Sequence, residues 1–201
     1  LFVSRLLFKP IQKAFGGHLE YCICGGAALD TDIARDMRYF GFEILEGFGM
    51  TEAAPMITFT RPGRVRIGTA GEPMPGVSVK SVDGELAVRG NNIMLGYYKR
   101  PQETADILRD GWLYTGDLGH VDADGYVHIT GRKKEIIVLP NGKNINPVEL
   151  EFKLEQHPFV GEAGVMQWGE LLHTVIVPDM GKLALAGVVN IEESLREEVL
   201  E

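Results

Sequence analysis

The chain is short of cysteine, has no surplus of basic residues and carries no long apolar run, and each shortage closes off a class of protein. Its only cysteines are Cys22 and Cys24. Spaced by two, they fall on one face of a strand and lack the spacing of a zinc or redox motif. Buried, reduced strand residues in a cytoplasmic protein are therefore expected. Asp and Glu number 28 against 20 Lys and Arg, a formal charge of −8. That balance argues against a nucleic-acid surface, since binding phosphates needs basic excess. No apolar stretch approaches the roughly 20 residues of a membrane helix, and no secretory leader pattern appears. The histidines (His18, His120, His128, His157, His173) include no pair at metal-ligand spacing. "DADG" lacks the remaining ligands of a calcium loop. Both common phosphate signatures are missing too. "NGKN" has Gly142-Lys143 without the upstream glycine or a Ser/Thr, and "GFGMTE" lacks the third glycine of a dinucleotide fingerprint.

What is present is an ordinary globular composition, 45% hydrophobic and 24% charged over 201 residues, with a grammar that changes twice. Residues 1–15 read as one or two short helices ending at Gly16-Gly17. Leu19 to Cys24 reads as a buried strand stopping at Gly25-Gly26. Asp30 is a helix N-cap, and Ile33, Ala34, Met37 and Phe40 recur at helical spacing before Gly41. Phe42 to Leu45 is the next strand. Strand, glycine turn, helix, strand at this length gives two parallel neighbours. Their carboxyl ends then lie along one sheet edge, where open α/β sheets bind ligands. "GGAAL" and "EGFGMTE" should stand side by side there.

From Gly68 the pattern alternates with a period of two and is punctuated by Gly and Pro, with an Asp83-Gly84 turn and a hairpin joining Leu118–Asp122 to Tyr126–Thr130. Residues 131–201 differ again. Asn146-Pro147-Val148-Glu149 is a helix start with Asn as N-cap. Gly164–Gln167 and His173–Val177 read as strands, and an acidic helix is expected from about Glu192. The expected division is 1–67, the C-terminal part of a large α/β domain; 68–130, a β-rich subdomain; and 131–201, a small α+β domain.

Three constellations carry candidate chemistry. In "EGFGMTE" the glycines could clear the backbone for a flat ligand, with Phe48 as a stacking face, Thr51 a phosphate contact and Glu52 a hard oxygen for Mg²⁺. A tight turn with Phe48 in the core fits the same residues. In "DGWLYTGDLG", Asp117 beside Gly116 offers an accessible carboxylate between two strands, able to accept from both hydroxyls of a ribose; an Asx turn is the plainer reading. "GRKKE" places Arg132, Lys133 and Lys134 in a basic turn. A second basic spot, Arg61 to Arg66, leaves an anionic small ligand open.

In order and spacing, "GGAAL", "EGFGMTEAAP", "GELAVRGNNIMLGYY", "GWLYTGDLG" and "GRKKEIIVLPNGKNINPVELE" resemble the core motifs of the acyl-adenylate-forming (AMP-binding) superfamily, nearest to bacterial medium- and long-chain fatty-acyl-CoA synthetases. The resemblance implies a mixed α/β fold: the end of a large α/β domain, a β-rich distorted-barrel subdomain and a small mobile C-terminal domain. It implies ATP-dependent activation of a fatty acid to acyl-AMP and transfer to coenzyme A, with Mg²⁺. Gly26, Ala27 and Ala28 would line the adenine pocket with Glu46, Gly47, Phe48 and Gly49. Thr51 would bind phosphate, Glu52 would ligate Mg²⁺, and Asp117 would hold the ribose diol with Arg132 close by. Lys134 would be the hinge, and Gly142 and Lys143 would lie on the loop that meets CoA.

The family's phosphate loop and its C-terminal catalytic lysine have no counterpart here, and Lys182 comes too soon after the hinge to replace the latter. Asn144 stands where several relatives carry arginine. The chain therefore reads as a C-terminal segment that would not complete the reaction alone. Adenylation of an acyl, aryl or amino acid for a carrier-protein thiol, or a non-catalytic nucleotide-binding module, are the alternatives. Contact with a membrane surface is compatible with the resemblance, though no anchor is present, and oligomeric state has no sequence signal.

Overall fold

The computed structural model describes residues 2–27, 29–188, 190–191 and 195. Ala28 and the acidic segment expected to be helical from Glu192 lie outside the described residues. The chain divides into two compact units, residues 1–130 and 131–201.

The first unit opens with two short helices, α1 (Phe2–Leu7) and α2 (Lys9–Ala14), the second carrying Pro10 in its first turn, where the missing N–H breaks no hydrogen bond. Strand β1 (Tyr21–Gly25) leads through a turn to α3 (Thr31–Tyr39) and back to β2 (Glu43–Gly49). Asp30 caps α3 as its sequence position suggests, accepting from the backbone N–H of Asp32 at 2.6 Å and of Ile33 at 3.1 Å. The inward stripe of α3 is narrower than its periodicity implies, with Ala34 buried and Ile33 56% exposed. The two strands are parallel neighbours, in register from Tyr21↔Glu43 to Gly25↔Gly47.

Two points depart from expectation. Strand β2 does not break at Glu46 but runs on through the glycines to Gly49. It can do so because β3 (Met56–Phe59) pairs antiparallel along its far side and satisfies its backbone. A two-residue strand, β4 (Glu72–Pro73), completes this sheet in the order β1-β2-β3-β4. Strand β1 is also less buried than its composition suggests. Ile23 is 75% exposed and both cysteines are free and half-buried, since among the described residues β1 pairs with β2 alone.

The second sheet holds β5 (Ser78–Val82) and β6 (Glu85–Arg89), then α4 (Pro101–Ile107), β7 (Leu108–Arg109), β8 (Trp112–Val121) and β9 (Val127–Arg132). The order is β5-β6-β8-β7, with β9 also on β8. Asp83 and Gly84 turn the first hairpin with φ of 52° and 83°, the paired positive values that a two-residue type I′ turn needs. The sheets meet over Ala53 and Ile57 on one side and Val88 and Leu113 on the other, all fully buried. Each larger member stabilises the fold by about 1.5–3 kcal/mol through burial.

The second unit has a short hairpin of β10 (Ile137–Val138) and β11 (Asn144–Ile145), then α5 (Pro147–Glu155), a longer hairpin of β12 (Val160–Trp168) and β13 (Leu171–Pro178), and α6 (Met180–Ala186). Helix α5 starts at Pro147 as read, but Asn146 makes no side-chain cap bond. Carboxylates on α5 instead accept β12 amides: Glu151 from Val165 N at 2.8 Å and Glu155 from Ala163 N at 3.0 Å. Among the described residues no helix is long and apolar enough to cross a membrane.

Candidate active site

The first candidate residues follow the carboxyl ends of β1 and β2. Gly25 faces Gly47 across the register, so the turn at Gly26 and Ala27 emerges beside Phe48 and the segment after it. Both turn residues are exposed. Gly26 has φ of +88° and, among the described residues, nothing within 4 Å of where a side chain would project. That is backbone only glycine adopts readily, opening on free space.

Gly47 and Gly49 are glycine for a different reason. A side-chain carbon on Gly47 would lie 2.6 Å from the Met56 methyl and 2.9 Å from the Phe59 ring; on Gly49 it would lie 2.0 Å from the Pro55 carbonyl oxygen. The space cleared at these positions is taken by β3 and its approach rather than left to a ligand, which corrects the reading of all the glycines as a cleared platform. Phe48, between them, packs against the Ala53–Ile57–Val88–Leu113 cluster while remaining half-buried.

After Gly49 the chain makes one turn of 3₁₀ helix, Thr51–Ala53, ended by Ala54 in the left-handed region at φ 48°. Thr51 is exposed at its start and Glu52 half-buried behind it. The turn is held by a segment given no individual role above, "GNNIMLGYY". Asn92 Nδ2 donates to the carbonyls of Ala53 (2.8 Å) and Met56 (2.9 Å), and Met94 N donates to the Glu52 carbonyl at 2.8 Å. The Tyr97 hydroxyl donates to Glu52 Oε1 at 2.5 Å. That bond, to a carboxylate, pushes the Tyr97 hydroxyl up to about 12. The amide and the tyrosine are legible as letters, but nothing in their spacing announces their partner some 40 positions upstream.

Glu46 lies in a groove with Ala34, Arg38 and Val65, and burial pushes its carboxyl up. The basic spot at Arg61–Arg66 is neutralised from within. Arg61 and Arg64 pair with Glu72 at 2.9 and 3.6 Å; Arg66 pairs with Asp122 at 2.9 Å and Asp124 at 2.7 Å and lies 4.4 Å over the Tyr126 ring. Asp122 also accepts from His128 Nε2 at 3.1 Å, and these partners, with the Tyr126 and Asp124 amides, hold its carboxyl at about 2. His120 stacks on His128 with centroids 4.6 Å apart.

Asp117 stands on the other sheet, inside β8 rather than between two strands, and is 7% exposed. The accessible carboxylate inferred from Gly116 is thus corrected to a largely buried one. Gly116, at φ +77°, gives its N–H to Glu85 Oε1 at 3.0 Å, and Asp117 N donates to Thr115 Oγ1 at 3.1 Å. In the second unit Arg132 and Lys134 are exposed around a turn closed by Glu135 N donating to the Arg132 carbonyl. Gly142 (φ +80°) and Lys143 form the tip of the β10–β11 hairpin, where Lys143 N donates to Asn141 Oδ1 at 3.0 Å.

Among the described residues no three His, Cys, Asp or Glu side chains gather into a metal cage. Glu52 offers a single carboxylate whose Oε2 accepts no hydrogen bond among those residues. That donor set fits Mg²⁺, which commonly takes one or two protein carboxylates and completes its shell with water and substrate phosphates.

Comparison with known proteins bears on the family. The family model described as AMP-binding enzyme matches residues 3–98. A long-chain-fatty-acid–CoA ligase of Mycobacterium bovis is 42% identical over 164 residues, covering 81% of this chain and 27% of its own length. A feruloyl-CoA synthase of an Amycolatopsis species is 39% identical over 181 residues, covering 81% and 37%. The structure of O-succinylbenzoate CoA synthetase from Bacillus subtilis in complex with AMP superposes with a TM-score of 0.71 at 28% identity, covering 90% of this chain and 40% of that one. The chain belongs to the AMP-binding, adenylate-forming superfamily and resembles its fatty-acyl-CoA synthetases. It spans about a quarter of the length of the first relatives it matches.

Proposed function

We propose that this chain supplies part of the nucleotide site of an ATP-dependent fatty-acid–CoA ligase. In the reaction, the carboxylate attacks the α-phosphorus of ATP, the bond to the bridging oxygen of pyrophosphate breaks, and an acyl-AMP remains. The CoA thiol then attacks the acyl carbon and AMP leaves. A carboxylate resists nucleophiles, whereas this mixed anhydride carries a good leaving group.

In this reading Gly26, Ala27 and Ala28 line adenine opposite the backbone of Glu46, Gly47 and Gly49, and the open part of the Phe48 ring stacks on the base. Thr51 gives its hydroxyl to a phosphate oxygen. Mg²⁺ held at Glu52 would neutralise phosphate charge. Asp117 accepts from the ribose diol. By the resemblance, Arg132 contacts ribose or phosphate, Lys134 serves as the hinge, and Gly142 and Lys143 approach CoA. The observation that supports the reading is the Gly25↔Gly47 register, which puts the turn at Gly26 next to the end of β2 at Phe48.

Fatty acid as substrate follows the 42% identical ligase; an aryl acid is the second reading, favoured by the 39% identical feruloyl-CoA synthase. Calorimetry of this chain with ATP, AMP and non-hydrolysable acyl- and aryl-AMP analogues tests both. Binding that weakens at least tenfold in Asp117→Ala, with the acyl analogue tighter than the aryl, is expected. No nucleotide binding would overturn the reading, and a tighter aryl analogue would overturn the fatty-acid assignment. Pyrophosphate release by the chain alone would show that the missing phosphate loop and lysine are not needed.

A further inference from the structure

We infer that the Asn92–Tyr97 segment is a brace that orients the Glu52 carboxylate towards a divalent ion, with Tyr97 as its positioning residue. The inference rests on the reading of Glu52 as a metal contact. Three residues of one short segment reach the same turn. Asn92 fastens the carbonyls of Ala53 and Met56, Met94 fastens the Glu52 carbonyl, and Tyr97 fastens the Glu52 side chain. Main chain and side chain of Glu52 are therefore both set from the same strip, which a chance surface contact would not do.

The brace is itself anchored. Tyr97 N donates to Thr104 Oγ1 at 2.9 Å, and Thr104 Oγ1 donates to the Arg100 carbonyl at 2.8 Å at the start of α4. Gly96 has φ of +146°, and a side chain there would meet the Thr104 methyl at 2.7 Å, so the strip lies hard against that helix.

The chemistry of the contact suits orientation. A lysine or arginine at this distance would cancel the carboxylate's charge. A phenol fixes one oxygen by a charge-assisted hydrogen bond and leaves the full negative charge in place. Oε1 is occupied and Oε2 is left for the ion. Partners behind a metal ligand of this kind are worth about 10–100-fold in metal affinity.

The test uses the 201-residue chain, ATP and Mn²⁺ as a spectroscopic stand-in for Mg²⁺. Tyr97→Phe should raise the Mn²⁺ concentration for half-maximal ATP binding about tenfold, leaving ATP affinity in excess chelator unchanged. If Glu52→Gln abolishes the metal dependence and Tyr97→Phe leaves it untouched, the brace is wrong while the metal site stands. An ATP affinity that falls equally with and without metal in Tyr97→Phe also overturns the brace. If the unsubstituted chain binds ATP with no metal dependence, the Glu52 reading falls and the brace falls with it.

Discussion

The carbonyl oxygen of Gly47 stands 3.0 Å from where a side chain on Gly25 would begin, so β1 and β2 hold their register with glycine at both partners. This closeness ranks the glycines. Gly49→Ala would drive a methyl to 2.0 Å from the Pro55 carbonyl oxygen and should destabilise the first unit by about 1–3 kcal/mol, the usual range for overpacking. Gly26→Ala meets no atom of the described residues and should cost only the left-handed strain of about 1–2 kcal/mol. Urea midpoints at unchanged slope measure both. A Gly49→Ala midpoint equal to the parent's would refute the claim that β3 fills that space.

Asn92→Ala removes two donated hydrogen bonds and should cost about 1–3 kcal/mol. Its effect should be local. Amide exchange of Ala53 and Ala54, which donate within the 3₁₀ turn at 2.9 and 3.2 Å, should quicken while Val88 keeps its protection. Uniform loss of protection would point to general unfolding instead.

Leu113 lies fully buried where the two sheets meet. Leu113→Ala should cost about 2–5 kcal/mol, because the lost transfer energy is joined by a cavity between two rigid layers. Thermal or urea unfolding checks it, and a cost under about 1 kcal/mol would mean the sheets collapse together freely.

Asp122 titrates at about 2 in the folded chain against about 3.9 when unfolded. Between those values the unfolded state binds more protons, so stability rises with pH there. The contribution is fully present above about pH 4 and is lost as pH falls through about 2. Asp122→Asn should therefore flatten that part of the acid limb, as followed by the unfolding midpoint from pH 5 to pH 2. An unchanged slope would remove Asp122 from the account.

Much of this was legible beforehand. The β1–α3–β2 unit, the Asp30 cap, the Asp83-Gly84 turn and the β8–β9 hairpin follow from local signals, namely capping oxygens, glycine placement and alternation. What was not legible depends on partners distant in sequence. Strand β3 has only four residues and declares itself by packing on Gly47 and Gly49. Helix α4 begins with Pro101 at its start, a signal overshadowed by the alternation around it, and α6 is short but capped by Asp179 accepting from Lys182 N. At the site, Phe48 was ambiguous between core and platform; it packs on the core while staying half-buried. Asp117 looked open because Gly116 suggested a loop, whereas β8 continues through both residues with a register shift against β6. The arginines at 61, 64 and 66 looked like an anion patch because their acidic partners, Glu72, Asp122 and Asp124, sit on other elements.

Those paired arginines have a mechanical meaning. The loop they occupy is bound at one end to the first sheet through Glu72 and to the second through Asp122 and Asp124. Just beyond it Ala70 and Gly71 exchange backbone hydrogen bonds with Val127 at 2.8 and 2.9 Å. It is a strap buckled across two layers, with partly exposed ion pairs for a buckle. Such pairs weaken as salt shortens the reach of charge to about 8 Å near physiological strength and about 3 Å at 1 M. Ionic strength therefore acts on the stiffness of this joint, and the loop's positive charge belongs to the protein's own framework before any anion arrives.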